Sequence, residues 1–205
     1  MSRVQRLELQ QKRTLSILSP AKSAKTTGRR TALAVSHVAM ICLIVAQVAS
    51  AVAQEKPPDY AVKAAYLYNF GKFAKWPSEG SRFNICVLGR DPFRGSLDRT
   101  VAGEQMDGRP IATHSLSELD QVHQCQILFI GNSERSRLPT ILAAVRNEPI
   151  LTVSDMPEFV NRGGMIQFEL DDNRVCFSIN LHAAREAHLD LSSDLLKVAL
   201  RVEGR

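Results

Sequence analysis

Once its first 53 residues are set aside, the chain lacks the positive charge that its overall composition suggests. The whole sequence carries 26 lysines and arginines against 21 aspartates and glutamates. Eight of those bases and one of those acids fall in residues 1–53, which leaves 18 against 20 in residues 54–205. The electrostatic footprint of a DNA- or anionic-lipid-binding surface is therefore missing, and no nucleic-acid partner is expected. Residues 54–205 also contain no phosphate loop, no dinucleotide fingerprint and no Gly-x-Ser-x-Gly nucleophile elbow. His114, His123, His182 and His188 lack the spacings that place ligands on one face of a metal, and Cys-x-x-Cys is absent. No metal and no cofactor are expected. Internal repeats and low-complexity segments are lacking too, so one domain of ordinary size accounts for residues 59–205.

Long apolar runs are scarce, and the one at 31–53 is informative. It is uncharged, is preceded by Arg29 and Arg30, and closes on Ala51, Val52 and Ala53. A basic stretch, an apolar stretch and small residues before a cut point make an export signal, with cleavage expected between Ala53 and Gln54. A retained membrane anchor and a buried core helix are the alternatives. About 20 apolar residues span a bilayer, and Ser36, His37 and Gln47 weaken this run for that role. The basic leader is long, which fits either a start downstream of Met1 or a partial twin-arginine signal at Arg29 and Arg30. Residues 54–58 (Gln-Glu-Lys-Pro-Pro) read as a short tether.

Cysteine is sparse: Cys42 lies in the signal, leaving Cys86, Cys125 and Cys176. An odd number in an oxidising compartment suggests one bridge and one remaining thiol. Cys86 sits inside one predicted strand and Cys125 just before another. If those strands are neighbours the two thiols can meet; two buried free thiols are the alternative. Cys176 alternates with Arg174 and Ser178, on the less apolar face of its strand. It is either covered by a helix and inert, or exposed and able to join two subunits.

The periodicity predicts an α/β domain. Pro57, Pro58 and Asp59 start a helix, with Asp59 as N-cap and Val62, Tyr66, Phe70 and Phe73 on its apolar face, stopped at Trp76 and Pro77. Strands are expected at 83–89, 109–113, 126–130 and 150–153, with helices at 96–101 and 134–146 between them. Such spacing implies parallel crossovers and helices on both faces of the sheet. Residues 165–170 and 174–179, joined by Asp171, Asp172 and Asn173, read as a C-terminal β-hairpin. A last helix follows, capped by Ser193 and docking Leu195, Leu196, Ala199 and Val202. The expected architecture is a mixed, largely parallel sheet of about six strands.

An open parallel sheet places ligands outside the carboxyl ends of its strands. Arg90, Ser133 and Ser154 in those loops are the ligand-crevice candidates, although Ser133 and Ser154 are also simple helix caps. Asp91 and Asp155 read as turn and capping groups, because nothing in the spacing joins them to a histidine or a metal. A calcium site at Asp171, Asp172 and Asn173 competes with the plainer reading as a hairpin turn.

Several segments in register resemble the YfiR family. They are Tyr-Ala-Val-Lys-Ala-Ala-Tyr-Leu-Tyr-Asn-Phe at 60–70 leading to Trp76 and Pro77, Ile-Cys-Val-Leu-Gly-Arg-Asp-Pro-Phe at 85–93, Cys-Gln-Ile-Leu-Phe-Ile at 125–130 and Leu-Thr-Val-Ser-Asp at 151–155. Gly-Gly-Met-Ile at 163–166, Ile-Asn-Leu at 179–181 and Leu-Ser-Ser-Asp-Leu-Leu at 191–196 continue the match. The resemblance implies a periplasmic protein, not an enzyme, that binds the periplasmic sensor region of an inner-membrane diguanylate cyclase and holds it inactive. It implies an outer-membrane lipoprotein that relieves repression, with cyclic di-GMP, exopolysaccharide and biofilm rising as a result, and a homodimer. Cys86 and Cys125 match a family disulfide. A second bridge found in some members has no counterpart, since only Cys176 remains.

The leading expectation is therefore a repressor-type binding module for a membrane diguanylate cyclase or sensor kinase, with Trp76 and Pro77 as candidate partner-binding residues. The same tryptophan could instead close the core beneath the first helix. A small-ligand sensor for a nucleotide or amino acid is the alternative function. A hydrolase using Asp91 or Asp155 ranks third, for want of a nucleophile and base at a recognisable spacing.

Overall fold

The structure, a computed structural model, describes residues 59–77 and 80–204. The expected signal segment, its expected cleavage point and the tether read at 54–58 lie outside the described residues.

Among the described residues, ten strands and five α-helices follow in chain order. They are α1 (Asp59–Phe73), β1 (Ala74–Lys75), β2 (Phe83–Leu88), α2 (Ser96–Val101), β3 (Gln105–Met106), β4 (Arg109–Leu116), β5 (Ile127–Ile130), α3 (Leu138–Ala144), β6 (Leu151–Ser154), β7 (Ile166–Asp171), β8 (Arg174–Asn180), α4 (Leu181–Glu186), β9 (Asp190–Leu191), α5 (Ser193–Val198) and β10 (Arg201–Glu203). Eight strands form one sheet in the order β10-β8-β7-β6-β5-β2-β4-β3, while β1 and β9 make a separate antiparallel ribbon. The five strands from β7 across to β4 are parallel. The sheet is thus mixed and largely parallel, as expected; the two strands beyond the expected six are the short edges β3 and β10.

Sheet order explains where the chain can hold anything. From β2 the chain moves outward to β4, then crosses back to β5 on the other side of β2 and continues through β6 to β7. The direction of winding reverses between β2 and β5. The two strands also send their following helices to opposite faces. Leu97 and Val101 of α2 join the core that α1, α4 and α5 build on one face, around Phe70, Phe129, Phe168 and Phe177. Leu138 and Ile141 of α3 join Leu88, Leu128, Ile130 and Phe159 on the other. A crevice must open where the chain parts in this way.

The central strands read as unbroken apolar runs because both faces are covered: β5 and β6 are buried along their whole length. The β7–β8 hairpin closes through Asp172 and Asn173, both at positive φ (47° and 59°), with Asp171 paired to Arg174. Two left-handed residues in a two-residue loop match the twist of the strands they join, so this segment is a hairpin turn.

Several local expectations are corrected. In α1 the buried side chains are Lys63, Ala64, Leu67 and Phe70, whereas Val62 and Phe73 are exposed. Asp59 is the first helical residue, and one carboxylate oxygen lies 3.6 Å from Lys63 Nζ. The helix predicted over 134–146 is Leu138–Ala144, preceded by a short 3-10 turn, Asn132–Glu134, with Pro139 in its first turn where a missing N–H costs nothing. The last helix is capped by Ser192, whose Oγ accepts from Leu195 N at 3.3 Å, not by Ser193. Val202 belongs to β10, paired in parallel with Ile179 of β8.

Candidate functional site

The crevice lies at the carboxyl ends of β2 and β5. Gly89 leaves β2 at φ +87°, a conformation favoured by glycine, and any side chain there would run into Ser133 and Glu134. The close approach lets the two loops bond. Ser133 Oγ accepts from Arg90 N at 2.9 Å and donates to Glu134 Oε1 at 3.2 Å. Arg137 clamps the other oxygen of Glu134 through Nε and Nη2 at 2.8 and 2.6 Å. Asp91 then turns the chain, its Oδ1 accepting from Phe93 N at 2.7 Å, so Asp91 is a turn group as read from sequence. The resulting open cleft has a volume of about 500 Å³ and is lined by Arg90, Asp91, Pro92 and Arg94 on one side, Asn132 and Ser133 on the other, and Tyr60.

Behind Tyr60 lies a buried ionic cluster that sequence reasoning did not find. Lys63, 5% exposed, places Nζ 2.8 Å from Asp155 Oδ2 and 4.2 Å from the centroid of the Tyr60 ring. The Tyr60 hydroxyl donates to the same Asp155 oxygen at 2.7 Å. Asp155 is therefore a partner for α1, which ties the start of that helix to the carboxyl end of β6. One signal was legible: a lysine in line with Leu67 and Phe70 on an apolar helix face needs a buried acid. Which acid depended on a contact 92 residues away.

Burial, then the hydrogen bond to Asp155, and then the charges of Asp155 and Asp59 raise the Tyr60 phenol far above the ordinary tyrosine range. A phenol whose folded-state pKa is raised contributes stability that is intact below its unfolded pKa, about 10, and is lost as pH climbs beyond it. Ultraviolet titration of the folded protein should show the Tyr60 phenolate forming only at pH well above 10. Tyr60→Phe should remove that late phase, and a titration unaltered by this substitution would contradict the assignment.

The predicted site residues separate. Arg90 and Ser133 share the cleft, but Ser154 does not. Its hydroxyl is fully buried, donating to Ile130 O at 2.7 Å and accepting from Met156 N at 3.1 Å, which fastens β6 to the end of β5. Neither serine caps a helix. Arg94, Asn132 and Tyr60 line the cleft without having been singled out.

Trp76 lies at the opposite, amino-terminal end of these strands. Its Nε1 donates to Gln126 O at 3.2 Å and its ring meets Phe83 edge-on at 5.0 Å between centroids. The indole is half-buried and Pro77 is exposed. Trp76→Ala should therefore cost about 2–3 kcal/mol, somewhat less than a fully buried aromatic, measured by urea denaturation followed by circular dichroism. A loss below about 0.5 kcal/mol, typical of an open surface position, would contradict this packing role.

Cys86 and Cys125 are joined by a disulfide, both almost wholly buried, with Cα atoms 5.9 Å apart. Cys176 is not bridged and is half-buried, with Sγ 3.6 Å from Glu169 O. Burial first, then the negative charges of Glu169 and Asp171, push its thiol pKa up, so it is a poor nucleophile at neutral pH. Among the described residues no group of three or more histidine, cysteine, aspartate or glutamate side chains is placed to hold a metal.

Fold and site together define a disulfide-linked α/β domain with a cleft at the point where its winding reverses. The chain belongs to the YfiR/HmsC-like family, whose model matches residues 60–200. Among solved structures, it is similar to a conserved domain protein from Vibrio cholerae O1 biovar El Tor, at 12% identity and a TM-score of 0.48, covering 70% of this chain and 60% of that one. It is also similar to the ABC domain in complex with L-Trp from Streptococcus pneumonia, at 14% identity and a TM-score of 0.44, covering 58% and 55%. The chain thus spans about 60% of the length of the first of these structures. At these levels neither likeness bears on function.

Proposed function

We propose that this protein is a non-enzymatic periplasmic regulator. It binds the periplasmic region of an inner-membrane diguanylate cyclase, or of a related membrane sensor kinase, and holds it inactive. Cyclic di-GMP signalling and biofilm formation fall as a result. The observation that carries this reading is the family match across residues 60–200. The disulfide supports an oxidising compartment, and the basic and apolar stretches ahead of Gln54 support export into it. Repression of this kind requires no bond-making. A protein that binds the inactive state of its partner more tightly than the active one shifts the population by the ratio of those affinities.

The expected partners are the membrane protein, a second copy of the chain as a homodimer, and an outer-membrane lipoprotein that withdraws the repressor. The corner at Trp76 and Pro77 is the candidate contact surface, with Pro77 supplying the exposed part and Trp76 the rigid support. Deleting the gene should raise cellular cyclic di-GMP and biofilm, and expressing the full chain should restore both. Pro77→Asp should fail to restore them while leaving the melting temperature unchanged. Cyclic di-GMP that responds to neither deletion nor overexpression would overturn the reading.

A further inference from the structure

We propose that the cleft between the carboxyl ends of β2 and β5 binds a small ligand bearing an oxyanion, phosphate or carboxylate, held by Arg90 and Arg94. This inference rests on the cleft alone and does not depend on the cyclase reading. The first ground is topological. The winding of the sheet reverses between these two strands, and that is where open parallel sheets leave room for a ligand. The cleft is present there, at about 500 Å³, within the size range of small-molecule sites.

The second ground is chemical. Two arginines, Arg90 and Arg94, and one acid, Asp91, are among the lining residues, and one oxygen of the Asp91 carboxylate already accepts from Phe93 N. Arg109, Arg137 and Arg201 each lie within 4.0 Å of an acidic oxygen, whereas neither Arg90 nor Arg94 has such a partner among the described residues. Two cations on one loop repel each other, and an oxyanion between them would relieve the repulsion and accept planar, charge-assisted hydrogen bonds. Asn132 across the cleft supplies a neutral amide for a second polar group. The frame is fixed before any ligand arrives. The Ser133 bond to Arg90 N sets one loop against the other, and the Tyr60 hydroxyl is anchored on Asp155.

The test uses protein purified from cells expressing the full chain. Its thermal unfolding is followed in sodium phosphate, sodium acetate and sodium chloride at matched ionic strength. A bound anion raises the melting temperature by mass action, so phosphate, acetate or both should stabilise the protein beyond chloride. A response to phosphate alone identifies a phosphorylated ligand, and a response to acetate alone a carboxylate. The double substitution Arg90→Ala with Arg94→Ala should leave the melting temperature in chloride unchanged and weaken anion binding roughly ten- to a hundredfold, the loss expected for charge-assisted hydrogen bonds. Asn132→Asp, which sets a negative charge in the cleft without removing either arginine, should weaken binding in the same direction and serves if the double variant does not fold. No stabilisation beyond chloride, or equal stabilisation in these variants, would overturn the proposal.

Discussion

Reduction of the Cys86–Cys125 disulfide lowers the unfolding free energy by about 4 kcal/mol, the chain-entropy value for a loop closed over 39 residues. For a domain of this size the loss corresponds to a fall in melting temperature of roughly 10 °C. The single tryptophan, packed on Phe83 near the start of β2, reports unfolding by fluorescence. The comparison is oxidised protein against the Cys86→Ala, Cys125→Ala double variant. Reductant alone acts slowly, because Cys86 is fully buried and Cys125 nearly so. A difference below about 1 kcal/mol would mean that the unfolded chain is already constrained across this loop or that the folded bond is strained. The consequence for function is direct. A reductant would act on this protein by depleting its folded form, with no second bridge to switch among the described residues.

The second large effect concerns Lys63 and Asp155. Asp155→Ala leaves the buried ammonium of Lys63 with Asp59 alone, at 3.6 Å, and should cost about 3–5 kcal/mol, the usual penalty for stranding a buried charge. Lys63→Met in the same protein should recover much of that loss, since removing both charges removes the desolvation cost along with the attraction. The double-mutant cycle measured by urea denaturation therefore gives a strong coupling between the two positions. Additive losses would show that the pair does not act as a unit. Asp155→Ala also removes a hydrogen bond and a negative charge that raise the Tyr60 phenol, so the alkaline titration of Tyr60 should move back towards its ordinary range in that variant.

These two sites mark what the sequence could and could not reveal. The strands β2 and β5 were legible because burial on both faces makes them continuous apolar runs, and the hairpin because Asp172 and Asn173 tolerate the left-handed region. The edge strands β3 and β10 and the ribbon β1–β9 are two or three residues long. No alternation can be read over such a length, and their pairing is decided by what lies beside them. Local periodicity favours Val62 and Phe73 over a lysine, and so points to the wrong face of α1. Lys63 is buried only because Asp155 meets it from the far side of the chain. Ser154 failed for the same reason: its hydroxyl serves the carbonyl of Ile130, so it supports the cleft's neighbour strand without entering the cleft. Arg90 and Ser133 could be grouped as neighbours because loops after parallel strands are a small set, and the topology sets which two of them meet.

The position of α1 carries a consequence for how the molecule is made. This helix is the first of the described elements to be synthesised, yet several of its partners come late: Asp155 lies 92 residues beyond Lys63, and Val175 lies 109 beyond Tyr66. Phe70 packs against Phe168 and Phe177. Tyr60 meets Phe93 and Gly71 lies against Met106 early in synthesis, but Tyr66 and Phe70 lack Phe168 and Phe177 until β7 and β8 exist, and contacts this distant in sequence form slowly. A nascent chain in this condition is exposed to aggregation and to chaperone capture for most of its synthesis. Completing the fold therefore includes the docking of an early helix onto two strands made more than 90 residues later.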